Sequence, residues 1–156
     1  MQVNLKAIEK RFETVGHPAD ITLVHSCGQS DRKDGIQHLA HEGLVKRIVG
    51  SHWGLQPRWM EMIANSQVEA YCLPQGQIAQ LYRSMACGLP GKMCKVGLGT
   101  FIDPRVEGGK MNDRTKPLPD LVDILEYGGE EYMFYKEIPL DTVLIRGTVC
   151  DEMGNL

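Results

Sequence analysis

Short apolar runs alternate with amphipathic segments along the first two-thirds of the chain. Residues 21–24, 47–50 and 70–73 are apolar enough to form buried strands. Residues 5–15 and 78–85 instead carry apolar side chains at spacings of three and four, the period of one helix face. Because the connections between these segments are short, the alternation predicts an α/β fold with a mostly parallel sheet, right-handed crossovers and helices on both faces.

Two further helices and one further strand are expected in this region. One helix is predicted from a stripe that ends near the basic residues Lys46 and Arg47: Ile36, Leu39, Ala40, Gly43 and Leu44. Pro57 is placed to open the other helix, which is expected to turn three side chains inward: Trp59, Met60 and Ile63. Residues 95–98 predict a strand that enters a glycine-rich turn.

The pattern changes after residue 98. Residues 99–119 show no clear periodicity, and a loop of this length inside a compact domain is often functional. Three strand-like runs follow, with Gly128-Gly129 as a hairpin turn between the first two: 121–125, 132–135 and 142–145. We therefore expect one domain in three parts, which are alternating helix and strand over 1–98, the glycine-rich loop over 99–119 and a strand-rich end over 120–156.

Composition narrows the class of protein. The 156 residues suit one domain, and 42% hydrophobic with 24% charged residues is ordinary for a soluble globular protein. A net charge of −3 argues against a nucleic-acid or anionic-membrane binder, and no apolar run approaches the roughly 18 residues of a transmembrane helix. The five cysteines are odd in number and form no CxxC pair, so we expect reduced thiols and a cytoplasmic protein.

The turn Pro74-Gln75-Gly76 lies between a predicted parallel strand and a predicted helix. Ligands of parallel α/β sheets bind at such turns, beyond the carboxyl ends of the strands. An N–H of Gln75 could stabilise an oxyanion there. The alternative is a purely structural turn, in which Pro74 ends the strand and Gly76 relieves strain before the helix.

A second glycine-rich stretch, residues 97–105, follows one helix later. It contains Gly97, Gly99, Thr100 and Phe101, and its glycines allow backbone N–H groups to approach a ligand closely. A dinucleotide fingerprint is excluded because the GxGxxG spacing is absent. Residues 108–110, Gly-Gly-Lys, do not meet the P-loop spacing either and are interpreted as a turn.

These motifs together resemble the α-type domain of the family I coenzyme A transferases, from about Leu5 to the last residue. The sequence of residues 99–105, Gly-Thr-Phe-Ile-Asp-Pro-Arg, most resembles the corresponding stretch of the fused, single-chain acetate or propionate CoA-transferases. The resemblance implies that Gln75 stabilises the oxyanion of an attacked thioester. It also implies that four residues line the substrate pocket: Gly76, Gly99, Thr100 and Phe101. It implies coenzyme A as a substrate, no permanently bound cofactor and no metal.

The resemblance also implies a partner. In that family a glutamate of a second, β-type domain attacks acyl-CoA, and the resulting acyl-glutamyl anhydride reacts with CoA thiolate to give an enzyme thioester that a second carboxylate resolves. Neither the glutamate motif nor the family's amino-terminal Gly-Gly-Phe loop occurs in this sequence. We therefore expect a chain truncated at both ends, inactive alone, that needs a fused or separate β-type domain and forms a homo-oligomer when complete.

Several other residues are candidates for chemistry. His38, His41 and Glu42 share one predicted helix face but lack the HExxH order, so a metal site is not expected. His52-Trp53-Gly54 follows the second strand and is a candidate for lining the cleft. Three arginines are candidates for carboxylate or phosphate contacts: Arg58, Arg83 and Arg105. Cys27 is a weak candidate nucleophile, because a helix amino terminus beside it could activate the thiol.

Two other functional classes stay open from the sequence. One is a non-catalytic α/β domain that binds acyl-CoA or a carboxylate without turning it over. The other is a relative of the ribose-phosphate isomerases or of DNA-binding regulators, against which the acidic charge and the lack of a helix-turn-helix speak.

Overall fold

The structure is a computed structural model that describes residues 2–28, 30–145 and 148–155. Four helical segments occur in it, the second of which is a short 3-10 helix: α1 (Gln2–Val15), Gly35–Leu39, α2 (Pro57–Ala64) and α3 (Gln75–Ala86). The strands are β1 (Ile21–Val24), β2 (Val45–Gly50), β3 (Glu69–Cys72), β4 (Gly91–Cys94), β5 (Val122–Tyr127) and β6 (Glu130–Lys136).

The first three strands form a parallel sheet in the order β1-β2-β3. Val24 of β1 is paired with Val49, and Gly50 of β2 with Cys72, so the three strands end at the same edge. Helices cover both faces of this sheet. Ile48 and Val49 are adjacent in β2 and fully buried, yet Ile48 packs with α1 and α2 whereas Val49 packs with α3.

The last three strands form an antiparallel sheet in the order β4-β6-β5. The predicted hairpin between β5 and β6 is confirmed, and Gly128 and Gly129 both have positive φ angles, as a tight turn of this kind requires. Met133 and Tyr135 of β6 are buried in the same cluster as Val49 and Ile78. The second sheet therefore shares its core with the α3 face of the first.

The predicted helix over residues 36–44 is wrong. Only Gly35–Leu39 is helical, as a 3-10 turn, although Ile36, Leu39 and Leu44 are buried as the stripe predicted. Lys46 and Arg47 belong to β2 rather than to a helix end, because Val45 already pairs with Ile21 of β1. Sheet pairing begins too soon after Leu39 for another helical turn.

Two predicted strands are also wrong. Residues 95–98 form turns, and the strand is β4, a few residues earlier, where Gly91 lies against the backbone of β6. A Cβ atom at Gly91 would stand 2.2 Å from the carbonyl oxygen of Tyr135, so this pairing needs glycine. Residues 142–145 form no strand, and their apolar side chains are exposed.

One predicted inward side chain points to solvent. Trp59 and Ile63 of α2 are buried as expected, but Met60 is half exposed and Met62 takes the buried position. Spacings of three and four from Trp59 lead to Met62 and Ile63, not to Met60. Among the described residues, no helix combines the length and the apolar character that crossing a bilayer requires.

Candidate active site

Three turns meet at the carboxyl edge of the parallel sheet. They follow β1 at residues 25–28, β2 at residues 51–54 and β3 at residues 73–76. The Ser51 hydroxyl donates a hydrogen bond to the carbonyl of Ser26, and the Cys72 thiol donates one to the carbonyl of Ser51 at 3.4 Å. These bonds tie the three strand ends into one surface, where an α/β sheet binds its ligands.

Gln75 is the first residue of α3, and Pro74 is its N-cap with an extended backbone. The side chain of Gln75 is exposed at the carboxyl edge. The first N–H groups of a helix lack intrahelical acceptors and carry partial positive charge, and the first turn of this 12-residue helix contains no acidic residue. Both the amide and the backbone N–H of Gln75 thus stand at the positively polarised end of α3.

Gly76 has no structural reason to be glycine. A Cβ atom there would meet no heavy atom within 4 Å, and its φ is not positive. The interpretation that Gly76 relieves strain in the turn is therefore not supported by the geometry. The open space above this residue, next to Gln75, is space that a ligand can occupy.

The glycine-rich loop contains two different kinds of glycine. A Cβ atom at Gly97 would stand 2.7 Å from the Tyr135 hydroxyl, whereas one at Gly99 would meet nothing within 4 Å. Both have positive φ angles. Gly97 is thus required by packing, while Gly99 needs glycine for its backbone angle and leaves open space above it.

Thr100 and Phe101 face different surroundings. The Thr100 hydroxyl donates to the carbonyl of Gly97 at 2.7 Å and accepts from the N–H of Ile102 at 3.3 Å. The hydroxyl therefore stabilises the turn itself. The Phe101 ring is 41% exposed and is therefore accessible from solvent.

Arg105 is occupied by acidic neighbours. Its guanidinium donates to the buried carboxylate of Asp103 through Nε at 3.0 Å and Nη2 at 2.8 Å, and Nη1 donates to both oxygens of Glu131 at 2.9 Å. Arg105 and the N–H of Gly99 hold the pKa of Asp103 well below its usual range. The expectation that Arg105 contacts a ligand is replaced by a structural role, because this clamp fixes the loop.

Residues 108–112 hold the loop against the sheet. Gly109 accepts a hydrogen bond from the N–H of Cys72 at 2.7 Å, and the N–H of Met111 donates to Ala70 at 2.9 Å. Lys110 forms an antiparallel bridge with Tyr71 and an ion pair with Asp120 at 2.9 Å. This segment runs along the outer side of β3 and is therefore a structural strap rather than a phosphate loop.

The histidine pair contacts α1 instead of Glu42. Glu9 accepts from His38 at 2.5 Å and from His41 at 2.8 Å, and Arg58 lies 3.5 Å from the same carboxylate. Burial alone raises the pKa of Glu9, but the hydrogen bonds from both histidines outweigh it and lower the pKa overall. The cluster ties α1 to the 3-10 helix.

One possible metal-ligand group overlaps this cluster, and two other candidates, Arg83 and Cys27, stand apart from it. The atoms of Glu9, Glu13 and His41 that could bind a metal ion lie within 4.8 Å of one another. Both carboxylate oxygens of Glu9, however, already form hydrogen bonds with His38 and His41. Arg83 is exposed on α3. Cys27 is exposed after β1, and the helix that was expected to activate it does not begin there, since the next helical turn starts at Gly35.

Sequence reasoning missed His25, which follows β1 directly. It is 9% exposed, and neither ring nitrogen has a hydrogen-bond partner. Its ring packs nearly perpendicular to that of Trp53, with the centroids 4.9 Å apart, and the indole N–H of Trp53 is also unpartnered. Burial lowers the pKa of His25 to about 4, so the ring is neutral near pH 7. Its place at the end of an apolar run was the signal that could have identified it.

The geometry defines a parallel α/β domain whose strand-end turns and α3 amino terminus lie at one edge, with the glycine-rich loop tied to the end of β3 through Gly109. The coenzyme A transferase family matches residues 7–156, and the chain belongs to this family. It is 43% identical to the caffeate CoA-transferase of Acetobacterium woodii and 39% identical to the acetate CoA-transferase YdiF of Escherichia coli K12. Each match covers 96% of this chain and 28% of the relative.

A solved structure agrees with this assignment. The crystal structure of acyl-CoA transferase YdiF from Escherichia coli O157:H7, a thioester complex with CoA, matches with a TM-score of 0.83 at 36% identity. The match covers 88% of this chain and 27% of that one. More distant relatives include the alpha subunits of two CoA-transferases. The chain thus spans just over a quarter of the length of the first relatives that it matches.

Proposed function

We propose that this chain is the α-type part of a CoA-transferase that exchanges coenzyme A between a short-chain acyl-CoA and a carboxylate such as acetate or propionate. One observation carries the proposal: in a member of this family, the Pro74-Gln75-Gly76 turn lies at the amino terminus of α3, on the carboxyl edge of a parallel sheet. The exposed amide and the helix amino terminus give this turn the hydrogen-bond donors that an oxyanion needs.

The reaction proceeds in covalent steps. A glutamate carboxylate of a β-type domain attacks the thioester carbonyl, the C–S bond breaks, and CoA leaves as a thiolate while an acyl-glutamyl anhydride forms. The thiolate then attacks the glutamyl carbonyl, which releases the first carboxylate and leaves an enzyme thioester. A second carboxylate reverses these steps and leaves as the new acyl-CoA.

Each residue of this chain has a role in that scheme. Gln75 donates a hydrogen bond to the carbonyl oxygen as it becomes negative, and the first turn of α3 adds its partial positive charge. Gly76 and Gly99 leave room for the substrate, since nothing stands within 4 Å of a Cβ atom at either. Thr100 shapes the loop and Phe101 supplies an apolar wall.

The proposal includes a larger assembly. The β-type domain is fused or separate, the complete protein is a homo-oligomer, and no permanently bound cofactor is needed because coenzyme A is a substrate. Five free cysteines favour the reducing cytoplasm. Residues 1–98, 99–119 and 120–156 serve as framework, pocket loop and strand-rich end of one α-type domain, with β4 of the first part completing the second sheet.

Kinetics of the longer polypeptide test the role of Gln75. We expect Gln75→Ala to lower kcat about 10²–10³-fold with a smaller change in KM, because the donor acts on the transition state. Gln80→Ala is the matched control: it removes the same amide from the same helix, where Gln80 is exposed and bonded to Lys92. A near-parental kcat for Gln75→Ala would exclude the side chain as the oxyanion donor. Binding of acyl-CoA without any transfer would instead indicate a binding domain.

A further inference from the structure

Side chains from two parts of the chain converge near the amino edge of the parallel sheet, opposite the candidate active site. Glu9 and Glu13 lie one turn apart on α1, and His41 follows the 3-10 helix. Their metal-binding atoms all lie within 4.8 Å of one another. The carbonyl of His41 accepts a hydrogen bond from the N–H of Val45, the first residue of β2, at 3.4 Å. The group therefore combines one imidazole and two carboxylates at the start of β2.

The contact between His41 and Glu9 brings two of these ligand atoms close together. Nε2 of His41 lies 2.8 Å from Oε1 of Glu9. Neighbouring ligand atoms of a tetrahedral zinc ion stand about 3.3 Å apart, because Zn–N and Zn–O bonds are about 2.0 Å long. A shift of about 0.5 Å would therefore let both atoms bind one ion in place of the proton that they share. Nε2 offers its lone pair when the ring is neutral and Nδ1 carries the proton.

Neighbouring side chains already orient these two ligands. The Phe12 ring packs against the His41 ring, with the centroids 6.1 Å apart. His38 contacts Oε2 of Glu9 through Nδ1 and the carboxylate of Asp34 through Nε2. Outer contacts of this kind fix the orientation of ligands in metal sites. His38 thus holds Glu9 through the oxygen that a metal ion would not need.

Glu13 is suited to supply the third ligand. Its side chain is exposed, and no hydrogen bond or ion pair joins it to the part of the chain that the structure describes. Two carboxylates at positions i and i+4 of a helix repel each other, and a divalent cation between them removes that repulsion. Arg58 also approaches Glu9, at 3.5 Å, but its side chain is 56% exposed and can turn toward solvent.

We propose that Glu9, Glu13 and His41 bind one Zn²⁺ ion, with water as the fourth ligand, and that the ion ties α1 to the segment before β2. Imidazole together with carboxylates suits zinc, whereas Mg²⁺ and Ca²⁺ prefer oxygen ligands alone. The sequence gave no reason to expect this site, because it grouped the histidines with Glu42 and not with α1. The ion stabilises the fold and takes no part in CoA transfer, since it lies opposite the strand-end turns. The inference is thus independent of the proposed function.

Thermal unfolding of metal-free chain 1–156, with and without added ZnCl₂, tests the site. At a zinc concentration 100 times the dissociation constant measured by calorimetry, the melting temperature should rise by about 5–10 °C. Glu13→Gln removes one ligand but no hydrogen bond, so this variant should melt like the parent without zinc and lose most of the zinc-induced rise. Glu42→Gln is the matched control, because Glu42 is an exposed glutamate beside His41 and should keep the full rise.

Three melting results would refute the proposal. They are no zinc-induced rise in the parent, an equal rise in the parent and Glu13→Gln, and a rise that Glu42→Gln loses as well. The free cysteines could also bind zinc, and Co²⁺ as a probe distinguishes them. Charge-transfer absorption from thiolate to cobalt, in the parent with one Co²⁺ bound, would refute the site because none of its ligands is a thiol. A zinc site of the expected kind in a longer polypeptide that transfers no CoA would refute only the proposed function.

Discussion

Acid should destabilise this domain through His25. The ring is buried against Trp53, and burial lowers its pKa to about 4, against about 6.5 in an unfolded chain. Between these two values the unfolded chain binds a proton that the folded chain does not. Stability therefore rises with pH across this window and is fully present above about pH 6.5.

The size of the effect follows from the two pKa values. The protonated ring must be discharged for folding, which costs about 2 kcal/mol at pH 5 and about 3 kcal/mol at pH 4. A loss of 3 kcal/mol is a large part of the 5–15 kcal/mol that typically stabilises a domain. The neutral ring is tolerated because it packs on Trp53, although its nitrogens lack partners.

Urea denaturation from pH 4 to pH 8, at low micromolar concentration, measures the effect. Trp53 and Trp59 are both buried, so their fluorescence reports unfolding. Carboxylates that titrate in acid change the stability of both proteins, whereas His25→Gln removes only the contribution of this histidine. The difference between the parent and His25→Gln therefore isolates the effect of His25. We expect the parent chain to lose about 3 kcal/mol more than His25→Gln between pH 7 and pH 4.

The control replaces a surface histidine. His17 is exposed, so His17→Gln removes an imidazole from the surface rather than from the interior and should keep the parental slope. If His25→Gln and the parent lose stability in parallel as the pH falls, the reasoning is refuted, since His25 would then be protonated in the folded state.

Three further outcomes are expected. Gly109→Ala should lower the free energy of unfolding in urea by about 2 kcal/mol or more, because φ is positive and a Cβ atom there would stand 2.5 Å from the Cys72 carbonyl oxygen. Gly128→Ala is the control: its φ is also positive but its surroundings are open, so it should cost about 1 kcal/mol. Asp103→Asn should speed amide exchange at Gly99 and cost about 1–3 kcal/mol, since it weakens the bonds from Arg105; unchanged exchange would contradict the clamp. Purified chain 1–156 should transfer no CoA from acetyl-CoA to propionate, and transfer in a sample free of host enzyme would contradict the need for a β-type glutamate.

Local pattern was a good guide wherever a segment's own side chains determined its conformation. The apolar spacing in residues 5–15 and 78–85 identified α1 and α3, and the runs that became β1, β2 and β3 were recognised as strands. Gly128-Gly129 marked the β5–β6 hairpin because two successive positive φ angles need such residues. Pro74 was placed correctly at the junction of β3 and α3, because proline suits the extended N-cap position, while Gln75 and Gly76 are the first residues of the helix.

Long-range contacts decided the rest. The stripe over residues 36–44 identified buried side chains but not their conformation, because pairing with β1 draws Val45 into the sheet. The strand before the glycine-rich loop lies at β4 because Gly91 admits the backbone of Tyr135, which is 44 positions away in the sequence. Residues 142–145 have the strand pattern yet no partner strand among the described residues.

Some features of the candidate site were likewise predictable from local sequence, whereas others depended on long-range contacts. The sequence by itself determined the class of fold and the strand-end turns, because periodicity and turn chemistry are local properties, and it proposed the residues that a ligand would meet there. Only the tertiary structure decided that Arg105 is held by Asp103 and Glu131, that Gly76 has open space beside it, and that His25 is buried without a partner. Burial and pairing depend on which distant residues arrive at the same place, and no local pattern encodes that.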